Sequence, residues 1–219
     1  MRILIVAATA PEVAPIVRGM NPTQTTDAAV KTYAHGRHDI HVLITGVGMV
    51  ATAVWCSRTL ARATYDLALN IGVCGSFDAA IQPGTVVHVV SDRLAELGAE
   101  DGETLLTLEE LRLPGESAFT NPAPPSNPAL EQLPAVTGIT VNTSHGNERT
   151  IALVVERFKP QVESMEGAAF MSACQINELP FAQVRAVSNL VERRNRESWR
   201  MAEAIQNLSA AALRIIDAA

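Results

Sequence analysis

Several short runs of this chain are largely apolar on successive residues, where a strand half exposed to water would alternate: Ile3 to Val6, His41 to Thr45, Leu67 to Ile71 and Thr85 to Val90, with Asn70 and His88 the polar residues inside them. Successive side chains of a strand point to opposite faces, so an unbroken run requires a sheet covered on both sides. Ile139 to Asn142, Gln161 to Met165 and Phe181 to Val187 continue the set. Val50 to Ala63 and Gly167 to Asn177 have helical character, and a last helix is predicted over Glu197 to Asp217. It places Trp199, Ala202, Ile205, Leu208, Ala212 and Ile216 on one face, which should pack on the sheet. The alternation predicts an α/β fold with a central, mostly parallel mixed β-sheet flanked by helices.

Residues 1–219, 47% of them hydrophobic, suffice for one continuous core, and a single domain is expected. Six prolines between Pro114 and Pro134 predict a long surface loop without regular structure. It is read as a loop rather than a linker because candidate site residues lie on both sides of it.

A formal net charge of -6 argues against nucleic-acid binding, which needs a basic face to displace counterions. A small-molecule ligand fits better. Cys56, Cys74 and Cys174 are odd in number and lack metal-ligand spacing, so neither a disulfide framework nor a metal site is expected. The opening apolar stretch is too short for a signal peptide and no run approaches a membrane span, which predicts a cytoplasmic protein with no membrane association.

Gly46-Val47-Gly48-Met49-Val50-Ala51 follows a strand and opens a helix, as a dinucleotide fingerprint would. Asp66 is suitably distant but precedes the next strand, the wrong end to reach a ribose, so no cofactor is expected. Gly72-Val73-Cys74-Gly75-Ser76 reads as a second glycine-containing loop, either a plain turn or a place for a planar ligand to approach the backbone. Cys74 has no nearby His and reads as a packed thiol. Glu12 follows Pro11, so its carboxylate should stand in the first turn of a helix leaving strand one, where dipole matching alone would explain it. Glu166 repeats the arrangement, with Glu163 an equal candidate for the buried member of the pair. Glu12, Glu166, the Gly72 loop and Ser188-Asn189 all fall at carboxyl ends of strands, where open parallel sheets collect ligands.

Val162-Glu163-Ser164-Met165-Glu166-Gly167-Ala168-Ala169, followed by Val184-Arg185-Ala186-Val187-Ser188-Asn189, resembles the paired signature of the purine nucleosidases and nucleoside phosphorylases. Asn70-Ile71-Gly72-Val73-Cys74-Gly75 is similar to that family's strand-to-glycine turn, and Gly84-Thr85-Val86-Val87 to its next strand. The resemblance implies that Glu12 activates water, that Glu166 holds the ribose hydroxyls with Met165 packed on the sugar, and that Arg185 helps to position Glu12 or the water. It also puts Gly75 and Ser188 against the substrate and implies a homo-oligomer. A purine leaves behind an oxocarbenium-like sugar, which carboxylates stabilise.

Asn189 departs from the adenosine-specific members, which carry an Asp that protonates N7. An amide cannot transfer that proton, yet its NH2 can donate to N7 and to a 6-oxo oxygen, which points to a hypoxanthine-type base. Three further segments resemble futalosine hydrolases, whose substrate is an inosine-like nucleoside with a benzoate-bearing 5′ group: Leu190 to Arg196, Asn142 to Glu148, and Glu96 to Asp101. Asn142 is accordingly expected at the substrate. Arg193, Arg194 and Arg196 would either grip the benzoate or form a solvated turn. His145 would either bind substrate or serve a structural partner. Val73 stands where the adenosine-type nucleosidases have a Ser, so their water network does not transfer literally. A phosphorylase is the rival reading, and a non-enzymatic nucleoside-binding protein the other. Ala10-Pro11-Glu12 puts a carboxylate where a phosphorylase binds phosphate, and binding alone needs no base at the glycosidic carbon.

Overall fold

The first strand accounts for the unbroken apolar runs. In the computed structural model, which describes residues 1–25 and 27–219, Ile3, Ile5 and Ala7 enter one hydrophobic layer while Leu4 and Val6 enter another. The elements begin with β1 (Arg2–Ala7), α1 (Ala10–Val17), β2 (Asn21–Pro22), β3 (Val30–His35), β4 (His38–Ile44) and α2 (Met49–Leu60). There follow β5 (Leu67–Ser76), β6 (Val86–Leu94), the hairpin β7 (Gly98–Asp101) and β8 (Thr104–Thr107), α3 (Leu108–Leu111) and β9 (Ala118–Thr120). The chain continues through α4 (Pro128–Glu131), β10 (Ala135–Thr140), α5 (Glu148–Phe158), β11 (Val162–Ser164), α6 (Gly167–Ile176), β12 (Phe181–Leu190) and α7 (Met201–Asp217).

Strands run in the order β11-β10-β6-β12-β5-β1-β4-β3-β2, with β9 on β6. The pairs β1–β4, β1–β5, β5–β12, β6–β10 and β10–β11 are parallel and the rest antiparallel, so the sheet is mixed as expected. Helices α1 and α7 cover one face, with Ile16, Leu208, Ala212 and Ile215 against Ile3, Leu69 and Ile71. On the other face α2 and α6 bring Cys56, Phe170 and Met171 against Leu4, Val6 and Ala68. Each layer removes apolar area from water at about 25 cal/mol per Å², which makes the two-sided burial the main driving force for this arrangement.

Two features position the site. Past its pairing with β1, the carboxyl-terminal part of β5 stays on β12 and pairs on its other side with β11, Glu163 opposite Gly75, so that β5, β12, β6, β10 and β11 close into a ring. In β12 the register slips between Val187, opposite Cys74, and Asn189, opposite Gly75. Ser188 is therefore an extra, bulged residue. Strand side chains alternate, so the bulge decides which face receives Asn189.

Several sequence expectations need correction. Gly72 to Ser76 is the end of β5 and no loop, because β12 and β11 satisfy its backbone. The proline-rich stretch contains β9 and α4: proline-free Ala118–Thr120 pairs with β6, and Asn127 caps a turn that starts with Pro128 and buries Leu130. The last helix starts at Met201, and Trp199 stands before it, after a 3-10 turn over Arg196–Ser198, rather than on its sheet-facing stripe. The β7–β8 hairpin and α5 have no counterpart in the sequence reading, and Val154 is the one residue of α5 that is buried.

Candidate active site

Thr9 ends the turn from β1 into α1, and Glu12 is the third residue of that helix. Only 6% exposed, Glu12 accepts hydrogen bonds from Thr9 N (2.8 Å) and Thr9 Oγ1 (2.8 Å) at Oε2, and from Val73 N (3.1 Å) at Oε1. Both partners are local consequences of the fold: Thr9 reciprocates a capping arrangement, and Val73 is presented by β5. One carboxylate is thus pinned between the first and the fifth strands.

Arg185 is the largest fully buried side chain and comes from β12. Its Nη2 donates to Asn70 Oδ1 at 2.5 Å and its Nη1 to Glu166 Oε2 at 3.4 Å. Asn70 is itself anchored on Val6 O at 3.1 Å. The sequence reading had Arg185 position Glu12 or the water; the structure pairs it with Glu166, while the backbone and Thr9 hold Glu12. Gly72 lets the two systems come together, since a Cβ there would collide with the guanidinium and lie 2.9 Å from Glu12 Oε1. Glu166 stands at the residue before α6 without capping it by its side chain, and accepts from Gly48 N at 3.1 Å. The glycine turn that imitated a dinucleotide motif therefore serves a carboxylate. A buried pair such as Arg185–Glu166 contributes little net stability, and its physical effect is orientation.

Beneath the start of α6 lies Asp92, buried, accepting from Thr140 Oγ1 (2.9 Å) and Gln183 Nε2 (2.8 Å). Burial pushes its carboxyl up to about 6 against the pull of those bonds and of Arg185. Gln183 Oε1 is left buried without a partner, and Gly167 leaves no room for a Cβ over this network.

At the far side of the pocket stands Asn189, whose Nδ2 donates to Leu190 O (2.8 Å) while its Oδ1 accepts from Ser188 Oγ (2.8 Å). A carbonyl only accepts, so the nitrogen must face Leu190 and one N–H remains for a ligand. Ser188, expected at the substrate, spends its hydroxyl on Asn189 and on Cys74 O. A Cβ on Gly75 would meet Val191 Cγ2 at 2.8 Å, Glu163 Cγ at 3.4 Å and Asn189 Nδ2 at 3.5 Å, so glycine permits these groups to converge. Of the two acids held open at β11, both are buried: Glu166 faces Arg185, and Glu163 takes His145. Cys74 is buried in the core with its thiol pushed up to about 12 by desolvation, which suits a packed residue and no nucleophile.

A cavity of about 530 Å³ joins these groups, lined among others by Glu12, Met165, Glu166, Asn189, Arg194 and Trp199. Met165 lies on its wall with its sulfur 3.9 Å from Ser144 Oγ. The arginine cluster splits. All three are exposed, but Arg194 stacks over Trp199 at 5.1 Å and lines the cavity, whereas Arg193 and Arg196 do not line it. Asn142 is likewise displaced from its expected place: Glu96 Oε2 takes both its backbone and side-chain N–H at 2.9 Å, and Asn142 stays outside the cavity. Asn70 and Thr9 were missed by sequence reasoning. The signal for Asn70 was a polar residue inside the apolar run Leu67 to Ile71. For Trp199 there was none, since helical spacing pointed to the core.

A second cleft of about 600 Å³ opens near the amino ends of β1 and β4. Its arginines are already paired, Arg58 and Arg62 with Asp27 and Arg2 with Asp39, so among the described residues it offers no free cation to an anionic ligand. Among the described residues no three His, Cys, Asp or Glu side chains could hold a metal ion, and no helix is long and apolar enough to cross a membrane.

A mixed sheet sandwiched by helices, with its cavity at the carboxyl ends of β1, β5 and β12, defines the nucleoside phosphorylase-like class. The solved futalosine hydrolase of Helicobacter pylori superposes with a TM-score of 0.84 at 16% identity, over 99% of this chain and 97% of that one. The chain belongs to the phosphorylase superfamily, whose family model matches residues 2–219. It is 31% identical to the futalosine hydrolase of Thermus thermophilus over 181 residues, 80% of each chain. It is 27% identical to the 5′-methylthioadenosine/S-adenosylhomocysteine nucleosidase of Colwellia psychrerythraea over 208 residues, 87% of this chain and 84% of that one.

Proposed function

We propose that this chain is an N-glycosyl hydrolase that cleaves futalosine, releasing hypoxanthine and dehypoxanthine futalosine in menaquinone biosynthesis. The observation that carries the substrate reading is Asn189, whose amide nitrogen is fixed by Leu190 O with one N–H left to donate to an acceptor. A 6-oxopurine presents acceptors along that edge, whereas adenine offers an amino group beside N7. The futalosine hydrolase of Thermus thermophilus supports the same reading.

In the reaction the glycosidic C–N bond breaks, its electron pair leaving with the purine. Water bonds to the anomeric carbon and gives its proton to Glu12, which is held in place by Thr9 and Val73. Glu166, oriented by Arg185 and Gly48 N, takes the ribose hydroxyls, with Met165 against the sugar. Arg194 on Trp199 grips the carboxylate of the 5′ group, replacing Arg193 and Arg196 in that role. Phosphate is a poor nucleophile here because the Glu12 carboxylate would repel it. The enzyme works in the cytoplasm as a homo-oligomer, and the exposed Val47, which lines the cavity, with the exposed Val50 and Val54 on α2 offers the apolar contact face.

The test compares futalosine with its 6-amino counterpart, without phosphate, on the wild type and on Asn189→Asp. Wild type should prefer the 6-oxo nucleoside by about tenfold or more, since a mismatched buried edge costs about 1–3 kcal/mol. In the Asn189→Asp variant the oxygen that replaces Nδ2 has one proton at most, which can go to Leu190 O or to the purine but not to both, so the donor to the 6-oxo edge is weakened and the preference should be lost. Equal or reversed selectivity in the wild type would remove the substrate assignment.

A further inference from the structure

The cavity holds an acid–imidazole pair that neither water activation nor ribose binding employs. Glu163 is 6% exposed and takes two hydrogen bonds from a single residue, His145 N to Oε1 at 3.0 Å and His145 Nδ1 to Oε2 at 2.6 Å. A carboxylate only accepts, so Nδ1 carries a proton and Nε2 is left for the occupant of the cavity. Phe77 meets the imidazole edge-on with centroids 6.0 Å apart, fixing the ring from a second side. The pair also adjoins Asn189, for Glu163 and Asn189 both close on the missing side chain of Gly75.

Asn189 alone falls short of what the reaction needs. One of its N–H groups is committed to Leu190 O, whereas a 6-oxopurine edge has two acceptors, N7 and the 6-oxo oxygen. An amide has no proton to give, and a purine departs poorly as an anion. Resting on the nucleosidase reading above, we infer that His145, paired with Glu163 and carrying a second, solvent-derived proton on Nε2 as the imidazolium, transfers that proton to N7 of the departing purine while the free Asn189 N–H binds the 6-oxo oxygen. The step balances. The purine takes the C–N electron pair and the His145 proton, and the sugar gains hydroxide from water whose proton goes to Glu12. Solvent then reprotonates His145 and deprotonates Glu12. Glu163 supplies the compensating charge for the imidazolium, as a carboxylate does for a catalytic histidine elsewhere.

The test uses a leaving group that needs no proton. Whichever nucleoside the wild type cleaves is compared with its N7-methylated cation, which departs as a neutral base, on wild type, His145→Gln and Glu163→Gln. His145→Gln should lower kcat on the unmethylated nucleoside by about 10²-fold, and on the cation by at least about tenfold less. Glu163→Gln should show the same contrast, more weakly. Equal losses on both substrates, or a loss confined to KM, overturn the proposal, and rates on the cation report directly whether a variant has folded. If the wild type cleaves the adenine nucleoside instead, the futalosine reading falls while the His145 comparison is still made on that substrate.

Discussion

Glu12→Gln keeps the length of the side chain and removes its charge, yet the surroundings of Glu12 are not neutral to the change. The wild-type carboxylate takes Thr9 N and Thr9 Oγ1 on one oxygen and Val73 N on the other. A glutamine has a single acceptor oxygen. Turned toward Thr9, it sets its NH2 against the N–H of Val73; turned toward Val73, it sets it against the N–H of Thr9. Either orientation strands one backbone donor in a largely buried place, at a cost of about 1–3 kcal/mol. For a chain of this size each kcal/mol lowers Tm by about 2–4 °C, so a fall of about 2–12 °C is expected. Loss of the base should lower kcat by about 10²–10⁴-fold, with KM little changed because affinity comes from base, ribose and tail. Thermal unfolding followed by circular dichroism gives the first quantity and release of free purine the second. Turnover near the wild-type rate would refute the assigned role, and an unchanged Tm would refute the hydrogen-bond network as drawn.

Arg194→Ala should raise KM for futalosine by about 10–100-fold and leave inosine almost untouched, since only the former carries a carboxylate to pair; Arg193→Ala and Arg196→Ala should alter neither, and a uniform response of all three would refute the singling out of Arg194. Asp92, held at about 6 against an ordinary 3.8, binds its proton more tightly folded than unfolded, so its contribution of about 3 kcal/mol is fully present below about 3.8 and is lost as pH rises through about 6. His88, lowered by burial to about 4, acts in the opposite sense: its contribution is present above about 6.5 and lost as pH falls toward about 4. Asp92→Asn should therefore be stabilised relative to wild type above pH about 6 and lose stability more steeply toward pH about 4, read from denaturant midpoints across that range; parallel profiles would show that Asp92 is not the titrating group.

The sequence by itself settled what depends on local pattern. Unbroken apolar runs such as Ile3 to Val6 required a sheet buried on both faces, because strand side chains alternate whatever the surroundings. A carboxylate just after a strand and a proline, as at Glu12, belonged at the first turn of a helix, so the carboxyl ends of the strands were legible as the site. What the pattern did not carry was anything decided by pairing across long separations. The bulge at Ser188 sends Asn189 toward Gly75, and it arises only when β12 is registered against β5. Closure of β5 onto β11 brings Glu163 beside Asn189, and no spacing in the chain encodes that contact. Arg185 took Glu166 as its partner, while Glu12 was satisfied by Thr9 and by the backbone N–H of Val73, 61 positions away. Arg194 alone of its cluster reached the cavity because Trp199, left outside α7, gave it a ring to stack on. Asn142 was drawn away by Glu96, a residue 46 positions distant in sequence. Periodicity fixes which face a side chain joins, but its partner is chosen by whichever group the closed sheet brings within hydrogen-bond reach.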